Sequence, residues 1–365
     1  MLTTGKVGHH ILSYTPESTP FHRAILESGS PTSRSVLYAS SDRHAGQLSS
    51  LLKHLDIPSS ASPDDILQTL CKLPVNHLTC AASKVWTEND QAVTWPFQPV
   101  IDCPPSQHQV QLEESRLVGI IPRPPLSSWS AKNRLQIPII TGFCTNEGTI
   151  FVPHCQASSD FRSFFQTLIP ALSDTDLEEL DGLYALEEFS EEPPMRMLGC
   201  HWRRLEAAYA HYAYIAPVLQ SAHFLSASRP VFVYQFAAKA LPFGTANHTD
   251  ETAVVAHDVG AEADATGKPL PGLERVSEQM HGLFSQFVSD DPEGLEDKWP
   301  RFVSPARGGE GCILVFGEGN DERMGKQGTG NEGIVMRVRK MSRREIERVT
   351  FWWKRVPLSQ GFGTR

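Results

Sequence analysis

Gln-Ile-Pro-Ile-Ile-Thr-Gly, at Gln136–Gly142, is short and almost continuously apolar. A run of this length that is rich in β-branched residues and does not alternate is typical of a strand buried on both faces. Val231–Phe236 has the same character, and Cys312–Gly317 reads as a further short strand. Helical patterns separate these segments. Strands that alternate with helices predict an α/β fold with a mostly parallel sheet and helices on both faces.

The pattern extends outward on both sides of this stretch. Phe21–Pro31 predicts a short strand that ends in a Gly/Ser/Pro turn. A helix is predicted to begin after Ser62 as N-cap, with Pro63 in its first position and its apolar residues on one face. Gly317–Gly333 is predicted to be an exposed loop. Helices are also predicted at Val7–Leu12, Arg43–Leu55, Phe161–Leu183, Met195–Leu225, Val276–Phe287 and Ser342–Trp353.

Composition narrows the classes of protein to which the chain can belong. A length of 365 residues and a hydrophobic content of 40% are ordinary for a globular protein of one large or two medium domains. The net charge of −9 argues against a nucleic-acid binder. The basic cluster Arg337–Arg344 is predicted to be a solvated surface on or just before a helix.

Targeting signals and cysteines also limit the function. No apolar run reaches the ~18 residues of a membrane-spanning helix. Residues 1–14 lack the apolar core of a secretory signal, so the chain as written is expected in the cytosol. The seven cysteines include no Cys-x-x-Cys pair, so we expect no zinc site and no cofactor. Cys71 and Cys80 could close a small loop or remain free thiols.

Two short polar segments, Thr145–Thr149 and Asn247–Glu251, follow predicted strands and are called the polar islands below. Glu147 comes just after the strand at Ile137, and His248 follows the strand at Val231. The carboxyl edge of a parallel sheet is where α/β proteins place their sites. A carboxylate can fix the tautomer of a histidine, which can then accept and return a proton near neutral pH. The order acid then histidine fits the Ser…Asp/Glu…His order of α/β hydrolases.

The residues of these two islands also fit other interpretations. Asn-Glu-Gly by itself is usually a turn with a surface carboxylate, and a histidine after a strand is usually part of a polar loop. A metal site would use a larger set of side chains, although their spacing matches no known motif. That set is His248, Asp250, Glu251, His257 and Asp258. Asn247-His248-Thr249 is formally a glycosylation sequon, whose use is not expected.

Several separated segments resemble the type B carboxylesterase and lipase family, and fungal members most of all. These segments occur in family order from about Val7 to the C-terminus. They are Phe21–Pro31, Phe97–Asp102, Pro138–Gly148, Trp299–Phe302 and Phe351–Trp353. Cys103 stands where the family usually has glycine. The resemblance implies an α/β-hydrolase fold and a small-molecule ester or lipid as substrate.

The resemblance implies a role for four residues. Glu147 matches the catalytic acid of the family and His248 its catalytic histidine. Glu251 matches the acidic residue three positions beyond that histidine, and Asn146 precedes the acid, so we expect both to support the site. In the family, Glu27-Ser28-Gly29-Ser30 ends a structural strand and is not the nucleophile.

The nucleophile of the family lies in Gly-Glu-Ser-Ala-Gly, and no Gly-x-Ser-x-Gly occurs in the 365 residues. Val7-Gly8-His9-His10 matches the helix after that nucleophile, which places the nucleophile position near Met1. We therefore expect residues 1–365 to be the C-terminal portion of one hydrolase domain that lacks the early strands, the serine and the oxyanion hole. A full-length parent could be secreted.

Two functions are consistent with the sequence. The first is a serine carboxylic-ester hydrolase that acts through an acyl-serine, with the present chain inactive by itself. The second is a non-catalytic, esterase-like interaction protein or pseudoenzyme.

Overall fold

The structure, a computed structural model, describes residues 3–33, 36–90, 94–102, 120–131, 135–189, 198–258, 260, 263, 267–289 and 292–360. Met1, Cys103 and Met195 lie outside the described residues. Within these described residues, five strands form one sheet in the order β1-β2-β3-β4-β5, which is also their order along the chain. The strands are β1 (Ala24–Glu27), β2 (Ile139–Cys144), β3 (Val231–Phe236), β4 (Cys312–Glu318) and β5 (Ile334–Lys340).

Pairing is parallel from β1 to β4, and β5 runs antiparallel to β4. All six residues of β2 are buried, as expected for a central strand covered on both faces. The mostly parallel α/β fold predicted from the sequence is confirmed. The parallel strands direct their carboxyl ends to a common edge, where the polar islands follow β2 and β3.

The helices, numbered in chain order, occupy both faces of the sheet. They are α1 (Thr3–Ser13), α2 (Asp42–His54), α3 (Pro63–Lys72), α4 (Val75–Asp90), α5 (Pro125–Trp129), α6 (Ser158–Leu168), α7 (Asp174–Leu183), α8 (Trp202–Ala210), α9 (Ala216–Leu225), α10 (Thr252–Val255), α11 (Pro271–Ser289) and α12 (Arg343–Ser359). A π-helical turn, His211–Ile215, joins α8 to α9. Short 3₁₀ turns lie at Leu186–Phe189, Pro292–Leu295, Pro305–Arg307 and Gly325–Gln327.

Alternate side chains of the central strands pack into two hydrophobic cores, one on each face of the sheet. Ile139 and Val233 face a large core built with α6, α7, α8, α9 and α12. Ile140 and Phe232 face a second core built with α11. Full burial of an aliphatic or aromatic side chain contributes about 1.5–3 kcal/mol, so these two layers fix the sheet between them. Trp299, from one of the resembling segments, donates its indole N–H to the carbonyl of Val233.

Local sequence signals explain several helix starts. Ser62 caps α3 by accepting from the amide of Asp65, with Pro63 in the first turn as predicted. The predicted apolar face of α3 is not buried by the described residues, and Leu67 is 61% exposed. None of the described helices is long and apolar enough to cross a membrane.

Three features differ from the sequence predictions. Helix α4 was not predicted, because its buried apolar residues, Ala81 and Val85, form a short stripe. The basic cluster lies just before and on helix α12, as predicted, but its residues Arg337–Lys340 form part of strand β5, which was not predicted. Charged residues on this edge strand discourage pairing with other chains. The predicted exposed loop Gly317–Gly333 contains the buried residues Asn320 and Glu322.

Candidate functional site

The loops that follow β2 and β3 continue side by side beyond the sheet. The amide of Asn146 donates to the carbonyl of Ala246 over 2.9 Å. Asn146 and Asn247 form an isolated parallel bridge. This extension of the parallel pairing places the residue after Asn146 beside the residue after Asn247. Those residues are Glu147 and His248.

Glu147 and His248 form a buried hydrogen-bonded pair. Nδ1 of His248 lies 2.5 Å from Oε2 of Glu147, and the glutamate side chain is fully buried. The second oxygen, Oε1, accepts from the amide of Cys144 over 2.6 Å. Within the described part of the chain, Nε2 of His248 has no hydrogen-bond partner. This geometry fixes one imidazole nitrogen and leaves the other for proton transfer.

Aromatic rings hold the imidazole in place. The ring of Tyr214, from the π-helical turn, lies 4.5 Å from the His248 ring between centroids. Phe151 packs against the imidazole edge at 5.3 Å. Thr249, the next residue, has a φ of +75°, an uncommon conformation for a β-branched residue. Strained backbone of this kind often occurs at functional sites.

Ser28 joins the site from strand β1. Its φ of +50° turns the chain just after the strand ends. The hydroxyl lies 2.5 Å from Oε1 of Glu147 and 3.0 Å from Oε1 of Glu251. Ser28 is buried, and its hydroxyl bridges the two carboxylates. Sequence reasoning treated this segment as a structural strand end and missed the contact. Its position at the carboxyl edge of a parallel strand was the available signal.

Glu251 is a second buried carboxylate near the Glu147–His248 pair. Oε2 lies 2.8 Å from the thiol of Cys144, and Oε1 lies 3.4 Å from the phenol of Tyr234. Burial, with the nearby charge of Glu147, raises the pKa of Glu251 to about 7. Burial, with the charge of Glu251, also raises the pKa of the Cys144 thiol well above its ordinary value, so the thiol acts as a donor.

Asn146 reaches in the opposite direction, toward α8. Its Nδ2 donates to Oε2 of Glu206 over 3.2 Å. Glu206 is also buried, and nothing in the composition of its helix distinguished it in the sequence. The four residues singled out from the sequence therefore lie in one region: Glu147, His248 and Glu251 share the buried cluster, and Asn146 connects it to Glu206.

The residues of the alternative metal interpretation lie in two separate places. His248 and Glu251 belong to the buried cluster, whereas His257 and Asp258 are exposed beyond α10. The described residues contain no cluster of three or more side chains arranged to hold a metal ion. Asn247, from the sequon, is buried, and its Nδ2 donates to Asp250 over 3.0 Å. Its amide is therefore engaged inside the fold.

The two cysteines that could have closed a loop lie in different helices. Cys71 belongs to α3 and Cys80 to α4, and both are exposed free thiols in the structure. The free-thiol interpretation therefore describes this structure.

Comparisons with known proteins agree with an α/β-hydrolase type of fold. The model of the carboxylesterase family matches residues 5–311. Secreted lipase 4 of Gibberella zeae is 24% identical over 286 residues, which are 77% of this chain and 47% of the relative. The chain thus spans about half the length of the curated relative that it matches. A family match over most of the chain, on a mostly parallel α/β sheet, shows that the chain belongs to the carboxylesterase family.

Proposed function

We propose that the chain supplies the acid and the base of a serine carboxylic-ester hydrolase. The observation that carries this proposal is the 2.5 Å contact between Nδ1 of His248 and Oε2 of the buried Glu147. Glu147 orients the imidazole and stabilises the imidazolium. His248 takes a proton from the attacking hydroxyl at Nε2 and returns it to the leaving alcohol. The substrate class is a small-molecule ester or a lipid ester.

Two further residues support this pair. Glu251 reaches Glu147 through the hydroxyl of Ser28. Asn146 fixes the loop that carries Glu147. Neither touches the imidazole, so both act by holding the acid in place. No metal or cofactor has a role in this mechanism.

We further propose that residues 1–365 do not form an acyl-enzyme by themselves. The printed sequence contains no Gly-x-Ser-x-Gly segment. Ser28 is buried and its hydroxyl contacts carboxylates, so it is not a replacement nucleophile. One oxyanion donor of this fold is the amide after the nucleophile, and loss of such a donor costs about 10²–10³ in rate.

Hydrolysis of p-nitrophenyl butyrate tests both statements. The 365-residue chain should show no turnover above that of its His248→Ala variant. Turnover that disappears in His248→Ala would overturn the proposed inactivity. The longest protein encoded in the same reading frame of the transcript should be expressed and assayed in parallel with the 365-residue chain.

If the longer product contains the Gly-x-Ser-x-Gly segment, its hydrolysis should fall at least 10³-fold in Glu147→Gln and in His248→Ala. Exposed Glu274→Gln is the matched control and should keep full activity. Equal activity in His248→Ala and the parent would refute the proposed roles. A longer product without that segment would favour a pseudoenzyme.

The expected cytosolic location stays a prediction. The relative is named a secreted lipase, and that name describes the relative. Fractionation of cells that produce the chain with an epitope tag would decide between retention and export.

A further inference from the structure

Glu206 contacts both neighbours of the proposed catalytic acid. It lies on α8, fully buried, with Oε2 3.2 Å from Nδ2 of Asn146 and Oε1 3.2 Å from the amide of Gly148. Glu147 stands between these two residues. One carboxylate therefore holds the chain immediately before and immediately after Glu147.

The loop also rests directly on the backbone of α8. A Cβ added at Gly148 would lie 2.2 Å from the carbonyl oxygen of Glu206, so this position tolerates glycine alone. On its other side, Glu147 receives the amide of Cys144. The position of Glu147 is thus set by α8 on one side and by the end of β2 on the other.

Groups of the loop around Glu147 change the pKa of the Glu206 carboxyl group. Burial raises the pKa of Glu206 to about 7. The charge of Arg203, on the same helix, and the hydrogen bonds from Asn146 and Gly148 lower this pKa, whereas the charge of Glu147 raises it. A cleft of about 550 Å³ borders Glu206 and is also lined by Arg203 and His211. The neutral His211 ring adds no charge there, because burial lowers its pKa to about 4.

We propose that Glu206 is a positioning residue that clamps the Asn146–Gly148 turn and so keeps Glu147 aligned with His248. The catalytic consequence of this clamp rests on the proposed function, but the clamp itself does not. Glu206 does not touch the imidazole and acts through Glu147. Loss of the Glu206 contacts frees the turn from α8 and weakens the hydrogen bond between Nδ1 of His248 and Glu147.

NMR spectroscopy of the 365-residue chain tests the clamp without any turnover. A proton in a short N–H···O⁻ hydrogen bond resonates far downfield, and the Nδ1 proton of His248 should give such a signal. It is assigned by its absence in His248→Gln. In Glu206→Gln, we expect this signal to weaken or to exchange with water at least ~10-fold faster, and the Gly148 amide likewise.

Asp176→Asn is the matched control, since Asp176 is a buried carboxylate on α7 in contact with Arg355 on α12. It should leave both signals unchanged even if the variant loses stability. An unchanged Nδ1 signal and an unchanged Gly148 amide in folded Glu206→Gln would overturn the proposal.

A titration of the parent chain decides the matter if Glu206→Gln does not fold. The carboxyl carbon of Glu206 should titrate near pH 7, because burial raises its pKa to about 7. The Gly148 amide and the Asn146 side-chain amide should follow the same curve. Titration of Glu206 with no response at these two groups would refute the clamp. Neither measurement uses ester hydrolysis, so an inactive chain leaves their outcome unaffected.

Discussion

Oγ of Ser28 lies 2.5 Å from Oε1 of Glu147. The two residues are 119 positions apart in the sequence, and the pairing of strands β1 and β2 brings them together. The same hydroxyl lies 3.0 Å from Glu251. A serine hydroxyl carries one proton and cannot donate to both carboxylates at once. A proton held by Glu251 lets that acid donate to Ser28, while Ser28 donates to Glu147. The hydroxyl therefore couples the two acids.

Ser28→Ala removes this bridge. Two buried carboxylates then share fewer donors, and an unsatisfied buried group costs about 1–3 kcal/mol of unfolding free energy. The loss should be larger at pH 8 than at pH 5, because burial raises the pKa of Glu251 to about 7 and this acid is more ionised at pH 8. Urea denaturation at the two pH values measures the effect. Ser30→Ala is the control: Ser30 is buried beside the neutral hydroxyl of Ser221, so its loss should not depend on pH.

The sheet and the pairing of Glu147 with His248 follow from sequence patterns, because buried strands of β-branched residues are local signals and parallel strands share an edge. The contacts of Ser28 and Glu206 do not follow. They depend on the register of β1 against β2 and on the approach of α8 to Gly148, which no local pattern encodes. Strand β5 was missed because an edge strand has no buried face that would give it an apolar period.

Glu251→Gln should flatten the pH dependence of stability. The folded-state pKa of Glu251 is raised from 4.5 to about 7, mainly by burial. Between those values the native chain binds a proton that the unfolded chain has released. The free energy of unfolding therefore falls as the pH rises through this window. Glutamine cannot titrate, so urea midpoints of the variant should fall less between pH 5 and pH 7.

A matched control for this experiment is Glu318→Gln, at a partly exposed acid. A hydrogen bond from Arg337 lowers the pKa of Glu318 below its ordinary value, so this acid stays ionised across the window. Its removal should leave the slope between pH 5 and pH 7 unchanged. Parallel slopes for Glu251→Gln and the parent chain would contradict the prediction.

Arg355→Met should strongly destabilise the large core. The guanidinium of Arg355 on α12 donates to Asp176 over 2.7 Å and lies 3.6 Å from the ring centroid of Phe351. Both ionised side chains are buried. Breaking a buried pair leaves a charge without its partner, which costs about 3–5 kcal/mol. Arg343→Met on the same helix, at a side chain that is 94% exposed, should cost less than ~0.5 kcal/mol in the same urea titration.

Glu322→Gln should weaken the start of α11. The two carboxylate oxygens of Glu322 accept from the amides of Gly272 and Leu273, over 3.1 and 2.7 Å. These amides have no partner within the helix, and a negative charge there also favours the helix dipole. Glutamine turns an amide N–H₂ toward one of these donors, so we expect a loss of about 1–3 kcal/mol in urea denaturation. Glu274→Gln, exposed in the same first turn, should change stability by less than ~0.5 kcal/mol. An equal loss in both variants would show that helix charge, and not the buried contact, is responsible.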